Sequence, residues 1–124
     1  MKLADLAPAF CLWQDVYRGY PGIKPAGGDW GDPAWRTSVW MDARITLAEA
    51  QGVAFECPAC EPRHLVVVGF AGRGLADHQA SQARGGGPSR WSVAGAGLGD
   101  LTLAPSIDCR CWHGWIRNGE VTTA

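Results

Sequence analysis

Residues 52–70 have the sequence GVAFECPACEPRHLVVVGF, from which most of the fold can be inferred. The segment Val53 to Cys57 is typical of a β-strand, and the β-branched segment His64 to Phe70 is typical of a second strand returning beside it. Between them, a Cys-x-x-Cys turn formed by Cys57 and Cys60 can present two thiolates to one zinc ion. The run therefore predicts a zinc-knuckle hairpin.

The remaining zinc ligands are expected from the C-terminal part of the chain. Cys109, Cys111 and His113 alternate at a spacing of two, which on a strand would direct all three side chains to one face. His64 is a further candidate because it follows the knuckle closely. Two of these residues are needed, and the sequence leaves open which two they are. His113 has an alternative role as a hydrogen-bonded histidine among aromatic side chains.

Cysteine usage favours a metal site over a disulfide framework. The chain has five cysteines, four of them in two close pairs, and its start does not resemble a signal peptide. Strands on both sides of the Cys-x-x-Cys turn disfavour a redox dithiol. A zinc ion with four protein ligands has no open position for substrate, so Zn²⁺ is predicted to be structural. The leftover Cys11 is expected to be a small buried apolar group.

Composition and charge limit the class of protein. The chain has 124 residues with 47% hydrophobic side chains, which predicts a single globular domain over residues 1–124. A net charge of -1 provides no field to attract nucleic acid. No apolar run approaches the roughly 18 residues of a membrane span. We therefore expect a cytoplasmic protein that binds neither nucleic acid nor membrane, with an unknown oligomeric state.

The first 41 residues are rich in Trp, Gly and Pro and predict an irregular arm. Trp13, Trp30, Trp35 and Trp40 either pack on the core or form an exposed recognition surface. Thr46 and Glu49 have capping-box spacing, which predicts one short helix ending near Gly52.

Residues 42–124 are predicted to form a zinc-stabilised β-rich body. Its residues 71–89 contain several glycines and no apolar period, which is typical of a flexible loop with an exposed His78. Further strands are expected at Trp91–Val93, Leu101–Leu103, Cys111–Arg117 and Glu120–Thr122, the last two joined by an Asn-Gly turn. The predicted fold class is α+β, mostly β, with a small antiparallel sheet, the knuckle hairpin, one short helix and the N-terminal arm.

Two further stretches carry a resemblance to a known family. Residues 97–107, GLGDLTLAPSI, and residues 112–120, WHGWIRNGE, follow the Cys-Pro-x-Cys run and His64 in the chain. Together with residues 52–70, this succession resembles a family of small uncharacterised proteins of tailed bacteriophages and prophages. The resemblance covers roughly residues 52–121. It implies a phage origin and transfers no biochemical activity.

The expected function is that of a phage-encoded, zinc-stabilised protein-interaction module without enzymatic activity. Its partner would be an unidentified host or phage protein, and inhibition of a host or host-defence protein is one such role. A minor virion or assembly component, which would be virion-associated, is an alternative. A metal-dependent hydrolase using the terminal Cys/His cluster is the other, with Glu56, Glu61, Asp100 and Asp108 as the nearby carboxylates that could serve as its base. No phosphate loop, His-Glu-x-x-His helix or Gly-x-Ser-x-Gly elbow occurs in the sequence.

Overall fold

The computed structural model describes residues 1–17, 35–82 and 86–124, and most of its regular structure is β. Short 3-10 helices lie at Leu3–Leu6 and Leu98–Asp100. The strands are β1 (Ala9–Tyr17), β2 (Trp35–Met41), β3 (Gly52–Glu56), β4 (Leu65–Gly69), β5 (Ser81–Gln82), β6 (Pro88–Ser89), β7 (Ser92–Ala94), β8 (Thr102–Ala104), β9 (Ile107–Asp108), β10 (His113–Arg117) and β11 (Glu120–Thr123). The predicted mostly-β fold with a small antiparallel sheet is confirmed.

The largest sheet has four antiparallel strands in the order β2-β1-β3-β4. Its β3–β4 hairpin pairs Val53 with Val68 and Phe55 with Val66. All four of these side chains are buried, because every second residue of each strand points into the core. The hairpin predicted around the Cys-x-x-Cys turn is therefore present, and β4 lies at the edge of the sheet.

A second sheet, in the order β11-β10-β9, is formed by the C-terminal part of the chain. Asn118 and Gly119 join β10 to β11 with φ angles of 50° and 74°, as expected for a tight Asn-Gly turn. The N-terminal segment packs against this turn, since the Leu3 amide donates to the Gly119 carbonyl at 2.9 Å. The Val121 amide also donates to the Met1 carbonyl at 2.7 Å, so the first residues lie beside β11.

One hydrophobic core joins the two sheets. Its largest fully buried side chains include Phe55 and Phe70 from the first sheet region and Ile116 from β10. Cys11 is fully buried, as expected for an apolar role, and burial raises the pKa of its thiol to about 12. A thiol with that pKa is a poor ligand or nucleophile near neutral pH.

The N-terminal arm is regular where the structure describes it, contrary to the expectation for residues 1–41. β1 and β2 form a long antiparallel ladder that pairs Leu12 with Trp40 and Trp13 with Val39. The physical reason is the high content of aromatic and β-branched residues in both strands, which outweighs the nearby glycines and prolines. Trp30 and the Gly/Pro-rich stretch around it lie outside the described residues. Trp40 is exposed, whereas Trp13 packs against Gly52.

A single turn occupies the position of the predicted short helix. The Ala50 amide donates to the Thr46 carbonyl at 2.9 Å, and the Thr46 hydroxyl donates to Glu49 at 2.7 Å. The local bonds suggested by the capping-box spacing thus form, but Gln51 then enters the sheet region by donating its amide to the Cys11 carbonyl. Because Gln51 pairs with the sheet, the helix does not continue beyond this single turn.

The segment at residues 71–89, expected to be a flexible loop, is tied to the rest of the fold at several described positions. The Arg73 guanidinium donates to the carbonyls of Leu47 and Ala50 at 2.6 Å and 2.9 Å. His78 is exposed, as expected, and its ring nitrogen lies 2.7 Å from an Asp15 carboxylate oxygen. These contacts connect the segment to β1 and to the turn before β3. In residues 1–17, 35–82 and 86–124, no helix has the length and apolar character needed to cross a membrane.

Candidate catalytic pair and metal centre

The β9–β10 hairpin brings a serine and a histidine into hydrogen-bonding contact. Ser106 precedes β9 directly, and His113 is the first residue of β10. The His113 Nε2 atom lies 2.9 Å from the Ser106 Oγ atom, and the His113 side chain is exposed. This distance is within the range required for a histidine that removes the proton from a nucleophilic hydroxyl.

The register of the hairpin places a carboxylate beside this pair. Asp108 is the cross-strand partner of His113, and Ile107 is the partner of Gly114. The Cys109 amide donates to the Trp112 carbonyl, so the next pair, Asp108 and His113, is of the non-hydrogen-bonded type, in which side chains approach closely on the same face. This face is solvent-accessible, whereas Ile107 is buried on the opposite face.

The main chain at Ser106 is held by Trp91. The Trp91 indole nitrogen donates to the Ser106 carbonyl at 3.3 Å. Trp91 is also anchored to the first sheet, because its amide donates to the Gly69 carbonyl at 2.9 Å. At the other side of the pair, the His113 ring lies 6.1 Å from the Trp115 ring. Ser106 and His113 are thus positioned by both sheets.

A cluster of Cys and His side chains lies at the turn end of the same hairpin. Ligand atoms of Cys57, Cys60, His64 and Cys111 all lie within 4.8 Å of one another. The Cys57 Sγ atom is 3.7 Å from Cys111 Sγ, and Cys111 Sγ is 3.8 Å from His64 Nδ1. Cys109 lies next to this group, with its Sγ atom 3.9 Å from Cys57 Sγ.

These distances fit a tetrahedral metal site. Sulfur atoms bound to one zinc ion at about 2.3 Å lie about 3.8 Å apart at tetrahedral angles. The separations of Cys57 from Cys111 and Cys109 agree with that value. The sulfur atoms of Cys60 and Cys111 are placed at disulfide-bonding distance, and a disulfide would prevent both residues from supplying thiolates. When its cysteines are reduced, the cluster therefore has a geometry that could bind a metal ion.

The structure places the predicted ligands in two groups. Cys57, Cys60 and Cys111 come together with His64, the further candidate, and Cys109 lies at their border. His113 is at the serine, with the hydrogen bond and the neighbouring tryptophan of its alternative role.

The strand expected at Cys111–Arg117 begins only at His113, because residues 109–112 form the turn between β9 and β10. Arg110 has a φ of 76°, and its amide donates to the Asp108 carboxylate, which stabilises this turn. The three candidate ligands consequently do not share one strand face. In the absence of a metal ion, the pKa of the Cys109 thiol is raised, mainly by burial and secondly by the adjacent Cys57 thiol.

The fold and its sites define a small β-rich protein with a serine–histidine pair beside a cysteine-rich, metal-binding type of cluster. The chain belongs to a family described as the bacterial ubiquitination-like system serine protease (BubE), whose family model matches residues 29–124. Comparison with curated proteins and with solved structures gives no match.

Family membership corrects the function expected from the sequence. The expectation of a non-enzymatic interaction module that inhibits a host protein is wrong, because the family is described as a protease and so has an enzymatic role. The virion-component alternative is wrong for the same reason. The hydrolase alternative is closer, although the family is named for a serine rather than a metal ion. The description refers to a bacterial system and contains no phage context.

Ser106 is the functional candidate that sequence reasoning missed. It lies in none of the known nucleophile motifs, and seven positions separate it from His113 in the chain. The pair forms across a hairpin, so the spacing depends on the length of the turn rather than on a local motif. The available signal was the pattern of polar residues at 106, 108 and 113 on either side of a turn, which places them on one face once the register is known.

Proposed function

We propose that this chain is a serine protease in which Ser106 is the nucleophile and His113 is the general base. The observation that carries the proposal is the 2.9 Å contact between Ser106 Oγ and His113 Nε2. The family description supports the reaction class. From the same description we infer that the substrates are proteins of a bacterial ubiquitination-like system.

The chemistry follows from the positions of the side chains. As Ser106 Oγ attacks a carbonyl carbon, its proton passes to His113 Nε2, and the acyl group becomes bonded to the serine oxygen. The protonated His113 then donates the same proton to the leaving amine. Water attacks the acyl-enzyme and restores both residues. Asp108, opposite His113 in the register, is the positioning residue that we assign to the imidazole.

A fluorophosphonate probe tests this assignment, since such probes form a covalent bond with activated serines. We expect labelling at Ser106 in the wild-type protein, identified by peptide mass spectrometry, and no labelling in Ser106→Ala or His113→Ala. Ser92, a serine in β7, provides the matched control: Ser92→Ala should label like wild type. Equal labelling of wild type and Ser106→Ala would overturn the proposal.

We further propose that zinc is the ion held by the cysteine cluster, with Cys57, Cys60, Cys111 and His64 as its four ligands. Cys109, at the border of the cluster, is the alternative to one of them. Thiolate and imidazole ligands at this spacing favour zinc over the oxygen-preferring ions. With four protein ligands, the zinc would stabilise the fold by joining the β3–β4 hairpin to the β9–β10 turn. Reaction steps belong to Ser106 and His113 and need no metal ion.

Zinc content measured by elemental analysis of protein purified under reducing conditions tests this second proposal. One zinc per chain is expected, with loss of zinc in Cys57→Ser. A metal-free protein whose Cys60 and Cys111 remain a disulfide after reductant treatment would contradict it.

A further inference from the structure

The outer edge of β4, which no strand of its own sheet covers among the described residues, has main-chain groups that point away from the sheet. The Cys57 amide donates to the His64 carbonyl, and the Phe70 amide donates to the Gln51 carbonyl, both at 2.8 Å. In an antiparallel ladder such pairs alternate with pairs whose main-chain groups point outward. The N–H and C=O groups of Val66 and Val68 therefore bond β3, whereas those of Leu65, Val67 and Gly69 face the opposite side.

Part of this edge is already used by Trp91. Its amide donates to the Gly69 carbonyl at 2.9 Å, and its carbonyl accepts from the Ala71 amide at 2.8 Å. Within the described part of the chain, Leu65 and Val67 have no such partner for their outward groups. Unpaired edges of this kind bind an additional strand readily.

β4 lines a groove of about 240 Å³ through Leu65, Val66, Val67 and Val68. The groove is also lined by Ser81 and Gln82 of β5, by Trp91, and by Ile107, Asp108 and Cys109 of the β9 region. A site for a compact small molecule is usually about 300 Å³ or larger, with mostly apolar walls. A groove of this size beside backbone donors and acceptors that have no partner among the described residues suits a single extended polypeptide better.

The groove comes close to the proposed nucleophile, because two of its lining residues, Ile107 and Asp108, directly follow Ser106. Trp91 bonds both Gly69 of β4 and the carbonyl of Ser106. A strand laid along Leu65 and Val67 would consequently pass close to the serine–histidine pair. We propose that β4 binds an extended, unfolded segment of the substrate polypeptide as a fifth strand of its sheet. The inference rests on the proposed protease function for the role of the bound segment.

Substitution of Val67 by proline tests the edge. The Val67 amide makes no ladder bond to β3, so proline should be tolerated there while it removes one donor and fills part of the groove. Val67→Ala is the matched control, because it shortens the side chain and keeps the N–H group. The probes are fluorescein-labelled casein, an unstructured polypeptide, and p-nitrophenyl acetate, an ester that needs only the serine and histidine.

We expect Val67→Pro to lower kcat/KM for casein about tenfold or more and to leave ester hydrolysis within about twofold, with Val67→Ala close to wild type for both. Casein cleavage by folded Val67→Pro at the wild-type rate would overturn the inference. If the wild-type protein hydrolyses neither probe, the protease proposal fails, and casein binding by fluorescence polarisation then tests the edge alone. Equal binding by wild type and Val67→Pro, or no binding at all, would overturn it.

Amide hydrogen exchange of the wild-type protein provides a test that does not depend on a variant folding. The Leu65 and Val67 amides should exchange quickly in the free protein and become protected when casein is added. The Val66 and Val68 amides, bonded to β3, should be protected in both states. Unchanged exchange at Leu65 and Val67 under saturating casein would contradict strand addition.

Discussion

Substitution of Asp108 tests how far the activity proposed for the serine–histidine pair depends on the neighbouring carboxylate. Asp108→Asn should reduce kcat for p-nitrophenyl acetate about a hundredfold with little change in KM, because it removes the carboxylate that we propose to stabilise the protonated His113. The asparagine keeps an oxygen that can accept the Arg110 amide, so the turn and the melting temperature should be preserved.

Glu120→Gln is the matched control for that experiment, since Glu120 is an exposed carboxylate on the neighbouring β11. It should retain wild-type kcat. An Asp108→Asn variant with unchanged kcat would show that the imidazole is oriented without this carboxylate.

Individual side chains also show where sequence reasoning succeeds. The burial of Cys11 and the φ angles of Asn118 and Gly119 follow from local chemistry, namely apolar thiol character and turn preference, and were predictable. Ser106 was harder, because the role proposed for it depends on His113, seven positions away, which only the folded register brings near. No local preference of serine contains that information.

At the scale of elements, Asp15 joins the β1–β2 ladder to the segment after β4. Its carboxylate accepts hydrogen bonds from the Thr37 hydroxyl at 2.8 Å and from the Gln79 side-chain amide at 3.2 Å. A carboxylate oxygen also lies 2.7 Å from the His78 ring nitrogen. Burial alone would raise the pKa of Asp15, but the hydrogen bonds with His78, Thr37 and Gln79 outweigh it and lower the pKa below its usual value.

Because the pKa of Asp15 is lowered by folding, its contribution to stability is present above the unfolded-state pKa of about 3.9 and is lost as the pH falls through the folded-state value. Asp15→Asn should therefore lower the free energy of unfolding by about 1 kcal/mol near neutral pH. In this variant, the attachment of the segment after β4 to β1 should no longer weaken as the pH falls. Amide exchange of Gln79 and Ala80 measures this directly. Slow exchange at both residues in the variant would contradict the assigned role.

The elements themselves were predictable to different degrees. The β3–β4 hairpin was evident from its β-branched runs, whereas β1 and β2 were obscured by tryptophans, glycines and prolines in the same stretch. Whether such segments form strands depends on long-range pairing, because an exposed aromatic strand gains stability only when a partner strand lies beside it. The same applies to the single turn at Thr46, where pairing of the following residues with the sheet prevented a helix.

For the molecule as a whole, the metal cluster should determine whether the two sheets stay together. Cys57→Ser should lose zinc and unfold or aggregate, because the free energy of metal binding is part of the free energy of folding. Chelator treatment of the reduced wild-type protein should lower its melting temperature by about 10 °C or more. Calorimetry combined with elemental analysis measures both effects.

Cys11→Ala is the control for the metal experiment, since Cys11 is buried apart from the cluster. It should keep its zinc and lose only about 1 kcal/mol of stability. A Cys57→Ser protein with the wild-type melting temperature would exclude a structural role for the ion.

The C-terminal residue has a practical consequence for all of these measurements. The Ala124 amide donates to the main-chain carbonyl of His113 at 2.8 Å, so any sequence fused after Ala124 starts beside the first residue of β10. An affinity tag in that position would therefore start close to the proposed serine–histidine pair. Fusion proteins intended for kinetics should therefore be cleaved or redesigned before a slow turnover is attributed to the enzyme.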